Sequence, residues 1–299
     1  MKKVITSFGF ISLLFMQTSV FAQDASDLYL GKLQTENKVE ISDLVRITDT
    51  DAYTNQPYFF TNENLFYTQM ISSEEQMDVF SFSIATGEHK NLSQSPQSEY
   101  SPTPMPNQDL FSVIRVNESG LQELWALNMQ GKALTHLASK IEPVGYHVWL
   151  NEQSLLLFVL GEPHTLQLAA ANDPKQAAKL IDSNIGASLV RYKHSNWYLY
   201  SRTSEEGHWL KAYNQETGKT RRVAQLPANT DYYALSPSGY AFTSDGSNVY
   251  ARKIIEQNNK LQPFEKWEAI SINEKACQEG VSRIAISPDE SMIAMVCPR

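Results

Sequence analysis

The chain has 299 residues, with 25 Lys and Arg against 33 Asp and Glu and a formal net charge of -8. A chain of this length can bury a sizeable core. Binding to a phosphate backbone depends on clustered Lys and Arg, so the acidic balance argues against nucleic acid as a partner.

The amino terminus has the pattern of a secretion signal. Lys2 and Lys3 are followed by an apolar run over residues 4–15 and by Val20-Phe21-Ala22, which predicts a signal peptide over residues 1–22 cleaved after Ala22. The alternative is an uncleaved anchor. No later stretch reaches the ~18 apolar residues of a membrane helix, so we expect a mature domain over residues 23–299 that is periplasmic or secreted and does not span a membrane.

Turns rich in Pro, Asn, Ser, Gly and Asp recur along the mature chain. They begin at Asn62, Asn107, Asn151, Ser195, Ser238 and Asp289, and the differences between these positions are 45, 44, 44, 43 and 51 residues. Each turn lies between two apolar strands, followed by a polar loop, an aliphatic-aromatic strand and a fourth strand. Four short strands in each ~45 residues is the spacing of a β-propeller blade.

The sixth repeat ends at Arg299 after only two strands. Residues 27–48 contain the two strands that it lacks, so we predict an all-β, six-bladed propeller whose last blade is completed by the amino terminus. Closing the ring removes open sheet edges. The alternative is an arrangement of two β-sandwich domains, and the only helix-like segment is residues 173–180.

The repeats resemble those of the TolB-type (WD40-like) propeller family. The resemblance is closest at Ser236-Pro237-Ser238-Gly239, at Ser287-Pro288-Asp289 and over residues 119–137, and it extends over essentially the whole mature chain. It implies a six-bladed propeller that binds partner proteins in the bacterial periplasm. TolB proteins carry an α/β domain before the propeller, and we expect a stand-alone propeller here.

Candidate binding residues lie where the innermost strands are predicted to begin, at one mouth of the central channel. Tyr and Arg are common at binding hot spots, although aromatic residues also pack between blades. The acidic loops between the second and third strands are predicted to surround the same mouth, either to attract a basic partner or cation or simply as solvated surface. The candidates are Tyr53, Asn55, Glu99, Tyr100, Tyr146, His147, Arg191, Tyr192, Asp231, Tyr232 and Arg283.

Two cysteines, Cys277 and Cys297, lie close to the carboxyl terminus. In an exported protein they can form a disulfide, and otherwise they are small buried apolar side chains.

Motifs for known chemistry are absent from the sequence. It has no G-x-S-x-G nucleophile elbow, no H-E-x-x-H pair and no EF-hand-type loop, and we predict neither a cofactor nor a metal. The sequence therefore favours a non-catalytic module that binds a protein or peptide. One alternative is a lactonase- or lyase-like propeller enzyme with a divalent cation held in the channel by dispersed residues, and another is a structural or carbohydrate-binding part of the cell envelope.

Overall fold

The computed structural model describes residues 25–71, 76–173, 175–228, 230, 232–272 and 276–299, and these form strands and loops without a helix. The predicted signal peptide lies outside them. No helix among these residues could cross a membrane. Residues 173–180, which have a helix-like sequence pattern, do not form a helix: the described residues of this segment form turns and the start of a strand.

Twenty-six strands are described, and six four-stranded antiparallel sheets account for all but two of them. Blade one is β3 Thr54–Phe59, β4 Asn64–Ile71, β5 Gln76–Ser83 and β6 His89–Asn91; blade two is β7 Glu99–Pro104, β8 Leu110–Val116, β9 Gln122–Asn128 and β10 Ala133–Leu137. Blade three is β11 Val144–Asn151, β12 Ser154–Val159, β13 Thr165–Ala170 and β14 Lys179–Ser183; blade four is β15 Ile185–Arg191, β16 Trp197–Ser204, β17 Gly207–Asn214 and β18 Thr220–Gln225. Blade five is β19 Tyr233–Leu235, β20 Tyr240–Ser244, β21 Val249–Lys253 and β24 Glu268–Ile270; blade six is β25 Arg283–Ile286, β26 Met292–Pro298, β1 Ser26–Gln34 and β2 Glu40–Arg46.

The predicted ring closure is confirmed in blade six. Its strand order is β2-β1-β26-β25, and β1 pairs antiparallel with β26 from Ser26 opposite Pro298 to Lys32 opposite Met292. The two chain ends therefore share one sheet, with β1 third and β2 outermost. Every blade then has a neighbour on each side.

The hydrophobic core is divided among the spaces between blades. Six buried clusters occur in the described residues, and each joins two neighbouring blades. Val113 on β8, for example, packs against Phe66 and Val79 of blade one, whereas the next residue, Ile114, packs toward Leu155 and Leu157 of blade three. Side chains alternate between the two faces of a strand. A strand in a sheet that is covered on both faces therefore has a continuous run of apolar residues in its sequence.

The long fifth repeat contains an added hairpin, β22 Glu256–Gln257 with β23 Lys260–Leu261, between β21 and β24. The hairpin packs on blade four: Leu261 is fully buried in the cluster between blades four and five. The Trp267 indole nitrogen donates to the Gln225 carbonyl over 2.8 Å. This insertion explains the 51-residue interval.

Buried charge and a covalent bond reinforce the closing blade. The Asp27 carboxylate is 4% exposed and accepts hydrogen bonds from Arg299 Nε at 2.7 Å and Nη2 at 3.0 Å, and it pairs with Arg46 Nη2 at 2.8 Å. Cys277 and Cys297 are bonded as a disulfide that joins the segment before β25 to β26.

We predict that Asp27→Ala destabilises the protein by about 2 kcal/mol, because it removes charge-assisted hydrogen bonds from a buried position and leaves Arg46 and Arg299 without this acceptor. Urea unfolding monitored by tryptophan fluorescence measures the change. Glu40→Ala in β2 is the matched control, because its contact with Lys38 is exposed and such pairs contribute less than about 1 kcal/mol. Equal unfolding curves for the two variants would contradict this account of the closure.

Candidate functional site at the channel mouth

The starting ends of the six inner strands lie on one face of the ring. In an antiparallel blade, the loop between the second and third strands returns to the end where the first strand began. The acidic loops at Glu118, Glu162, Glu205 and Glu206, and Asp245 therefore surround the same face as the starts of β7, β11, β15 and β19. Glu74 and Glu75 in blade one and Asp24 in blade six are acidic residues that the sequence predicts at the same face, and they lie outside the described residues.

A tyrosine-arginine cluster lies in the channel at this face. Arg283 at the start of β25 donates from Nη2 to the Tyr146 hydroxyl over 3.1 Å, and its guanidinium carbon lies 3.7 Å from the ring centroid of Tyr232. The hydroxyls of Tyr146 and Tyr232 are 3.4 Å apart. Arg283 belongs to blade six and Tyr146 to blade three, which stand opposite each other in a six-bladed ring, so their contact crosses the channel.

Two further tyrosines extend the cluster to blades one and two. Burial raises the pKa of Tyr53, and Arg283 and Tyr146 lie close enough to modify it. Burial also raises the pKa of Tyr100, which lies near Tyr146 as well. We call Tyr53, Tyr100, Tyr146, Tyr232 and Arg283 the mouth cluster, and its members come from five blades.

The charge of Arg283 controls the electrostatics of the mouth cluster. Burial of Tyr146 opposes ionisation, but the nearby guanidinium and hydrogen bonds outweigh it, so the pKa of Tyr146 lies below its ordinary value. Arg283 Nε is buried and has no hydrogen-bond partner among the described residues. This N–H, the other guanidinium N–H groups and the tyrosine hydroxyls are suited to binding a carboxylate or carbonyl oxygen in a geometry that aromatic rings restrict.

Two polar residues of β3, Asn55 and Gln56, hydrogen-bond to tyrosines of the mouth cluster. The Asn55 amide donates to the Tyr53 hydroxyl over 2.6 Å. Gln56 lies in a bulge of β3 with φ 56°, and its side-chain oxygen accepts from the Ser101 backbone N–H over 2.7 Å. Gln56 also bonds Tyr146. Ser101 occupies the same place one repeat later and also has positive φ, at 54°.

Glu99 is the first residue of β7 and His147 is the fourth residue of β11, and both side chains are buried between blades. Successive residues of a strand face opposite ways, so Tyr100 packs against the core between blades two and three and Tyr146 against the core between blades three and four. The Glu99 carboxylate is buried beside Ser95 and lies 3.3 Å from Arg115 Nε. His147 Nε2 lies 2.6 Å from the Ser112 hydroxyl, and burial lowers the pKa of His147 to about 3, so the ring is neutral.

The placement of Arg191 and Tyr192 at the mouth is wrong. The fourth inner strand begins at Ile185 and ends at Arg191, so both residues lie at its far end. Tyr192 is fully buried and donates its hydroxyl to the Ile254 carbonyl over 2.9 Å, while Arg191 is exposed and bonds the Ser195 carbonyl. Asp231, also a candidate, lies outside the described residues.

Solved structures with the same architecture were found by comparison of the fold. A putative TolB from Agrobacterium tumefaciens matches with a TM-score of 0.65 and 10% identity, covering 93% of this chain and 99% of that chain. TolB from Acinetobacter baumannii matches with a TM-score of 0.55 and 10% identity, over 93% of this chain and 65% of that chain. The fold is that of a TolB-like propeller.

A gluconolactonase from Xanthomonas campestris also matches, with a TM-score of 0.60 and 9% identity over 93% of this chain and 99% of that chain. No protein-family model matches the sequence, and no curated protein matches it significantly. At these identities the likeness concerns the fold, and the TolB-like fold therefore leaves function to be argued from the site.

Glu99 provides a test of the electrostatics beside the mouth. Burial raises the pKa of Glu99 to about 7 against an ordinary value of 4.5, and the Ser95 hydrogen bond and Arg115 offset only part of the rise. Between those pH values the folded protein binds more protons than the unfolded chain, so this carboxyl lowers stability as pH rises through the window.

We predict that Glu99→Gln, which cannot ionise, reduces the loss of stability between pH 5 and pH 8 by about 3 kcal/mol relative to the parent. Denaturant unfolding at the two pH values measures it. Glu118→Gln, an exposed change in the adjoining loop, should keep the parental pH dependence. A parental slope in Glu99→Gln would show that Glu99 titrates like a solvated carboxyl.

Proposed function

We propose that the chain is an exported, non-catalytic propeller that binds a protein or peptide partner at the channel mouth. The observation that carries the proposal is the mouth cluster, in which four tyrosines and one arginine from five blades meet on one face. Tyr and Arg contribute large contact areas and directional hydrogen bonds at low entropic cost. The rigid sheets beneath hold these side chains in place before a partner arrives.

The chemistry of the mouth cluster favours an extended segment that offers oxygen atoms. Arg283 supplies a cationic donor in the centre, and the tyrosine rings around it supply apolar faces and hydroxyls. The acidic loops at the rim suit basic side chains flanking that segment. The proposed partner is therefore a peptide with an acidic or carbonyl-rich centre and basic flanks.

Export to the periplasm or cell surface is part of the same proposal. The basic-apolar pattern of residues 1–22, the Cys277–Cys297 disulfide and the TolB-like fold all support it. Disulfides persist in oxidising compartments and are rare in the cytosol.

The enzyme alternative needs a divalent cation in the channel. Hard cations bind carboxylate and carbonyl oxygens, whereas the described side chains that meet in the channel are tyrosines around a guanidinium. A positive charge at the centre repels a cation. The likeness to a gluconolactonase concerns the fold alone, so binding is the function that the site supports better.

We predict that Tyr232→Ala and Tyr100→Ala each weaken partner capture at least tenfold, because hot-spot aromatics contribute about 2 kcal/mol or more. The measurement is affinity capture from envelope extracts, followed by titration of the purified partner. The control is Tyr240→Ala, a half-buried tyrosine at the start of β20 and so at the opposite end of blade five. Equal capture by all three variants, each with a parental melting curve, would place the site away from the mouth.

A further inference from the structure

Three side chains of types that can bind a metal ion lie close together at the edge of blade two, apart from the mouth cluster. One ligand atom from each of Glu123, His136 and Glu142 lies within 4.8 Å of the other two. His136 Nε2 and Glu142 Oε1 are 3.0 Å apart, and both side chains are about one quarter exposed. The three residues lie on the channel-mouth face, where β9 begins and β10 ends.

The strand register brings these residues together. His136 on β10 stands directly opposite Trp125 on β9, and cross-strand partners point to the same face of a sheet. Glu123 lies two residues before Trp125 and so shares that face. Glu142 arrives from the segment that connects β10 to β11, and the site thus combines two strands and a connection.

Neighbouring groups fix the orientation of the ligands. Glu123 accepts a hydrogen bond on Oε2 from the Trp125 indole over 2.7 Å and one on Oε1 from Asn117 over 2.6 Å. The His136 ring stacks on Trp125 with centroids 5.1 Å apart and planes 10° apart. Support of this kind, with a donor on the ligating carboxylate and a packed imidazole, is characteristic of metal sites in proteins.

The imidazole nitrogen Nε2 of His136 lacks a hydrogen-bond partner in the described part of the chain. His136 Nε2 is shielded from solvent and makes no aligned hydrogen bond among the described residues, although Glu142 Oε1 is nearby. A shielded polar atom without a partner costs free energy. An ion between the nitrogen and the two carboxylates would satisfy it.

A cavity of about 420 Å³ adjoins Glu123, one of the three side chains, and opens to solvent. Its lining includes Glu123, Trp125 and Arg115. The cavity gives an ion a route from solvent to the Glu123 side of the site. The Arg115 guanidinium, whose carbon lies 5.6 Å from the Trp125 centroid, is paired with Glu99 at 3.3 Å, which offsets its positive charge beside the site.

We propose that Glu123, His136 and Glu142 bind one divalent transition-metal ion of the zinc class. Two carboxylates balance the charge of the ion, and an imidazole nitrogen favours zinc over magnesium or calcium, which prefer oxygen ligands. Zinc bonds of about 2 Å put tetrahedral ligand atoms roughly 3.3 Å apart, so a small rotation of the side chains completes the site.

The test uses the mature protein, dialysed against chelator and then titrated with zinc chloride by calorimetry, with metal content measured after desalting. We expect about one zinc per chain, a higher melting temperature with zinc, and binding unchanged by excess magnesium. His136→Ala and Glu142→Gln should each weaken binding at least tenfold. Trp125→Phe, which removes the donor to Glu123, should weaken it about tenfold.

Glu118→Gln is the matched control, because Glu118 lies in the loop just before β9 and lines the same cavity as Glu123 without belonging to the three ligands. It should bind zinc like the parent. Absence of zinc binding overturns the proposal. So does zinc binding that survives both His136→Ala and Glu142→Gln, which would direct attention to the channel or another surface.

Discussion

The structure depends on one constraint: each blade must bury both faces of its sheet, and only a closed ring allows all six to do so. The space between blades six and one shows how this is met. Leu28 and Val296, on neighbouring strands from opposite ends of the chain, pack together against Leu65 and Phe82 of blade one. If β1 were displaced, this cluster would lose one wall, and the stability of every blade is thus coupled to the pairing of the chain ends.

Ring closure also creates the mouth cluster. Tyr146 and Arg283 are 137 positions apart in sequence and belong to opposite blades, yet their side chains hydrogen-bond. This contact requires six wedges that converge on an axis, so the cluster is a property of the assembled ring and of no single blade. The backbone of such a site is held in place, since displacing one of its strands means displacing a whole sheet.

Much of the fold could be predicted from the sequence, because turn spacing and apolar runs are local signals. Side-chain direction could not, because a shift of one residue exchanges the two faces of a strand. Glu99 and Tyr100 illustrate this: they are consecutive residues at the start of β7, but Glu99 lies beside Ser95 and Arg115 whereas Tyr100 faces blade three and lies near Tyr146. The error at Arg191 and Tyr192 arose because the degenerate fourth repeat begins with the inconspicuous residues Ile185 and Gly186.

Contacts that depend on strand register and bulges could not be predicted for a related reason. Gln56 acts through a bulge in β3, which has no composition signal, and the Glu123, His136 and Glu142 group is assembled from two strands and a connection with no recognisable spacing. Both features share the face on which the acidic loops lie. That face combines a cationic centre, aromatic walls and an acidic rim, whereas solvation of an acidic protein alone would require only the rim. At that centre Tyr146 accepts a hydrogen bond from Arg283 and the ring of Tyr232 lies against the guanidinium, but the buried Arg283 Nε has no partner among the described residues. A buried donor without an acceptor costs free energy, and this unpaired N–H is the feature of the cluster on which the proposed binding of an oxygen-bearing ligand depends.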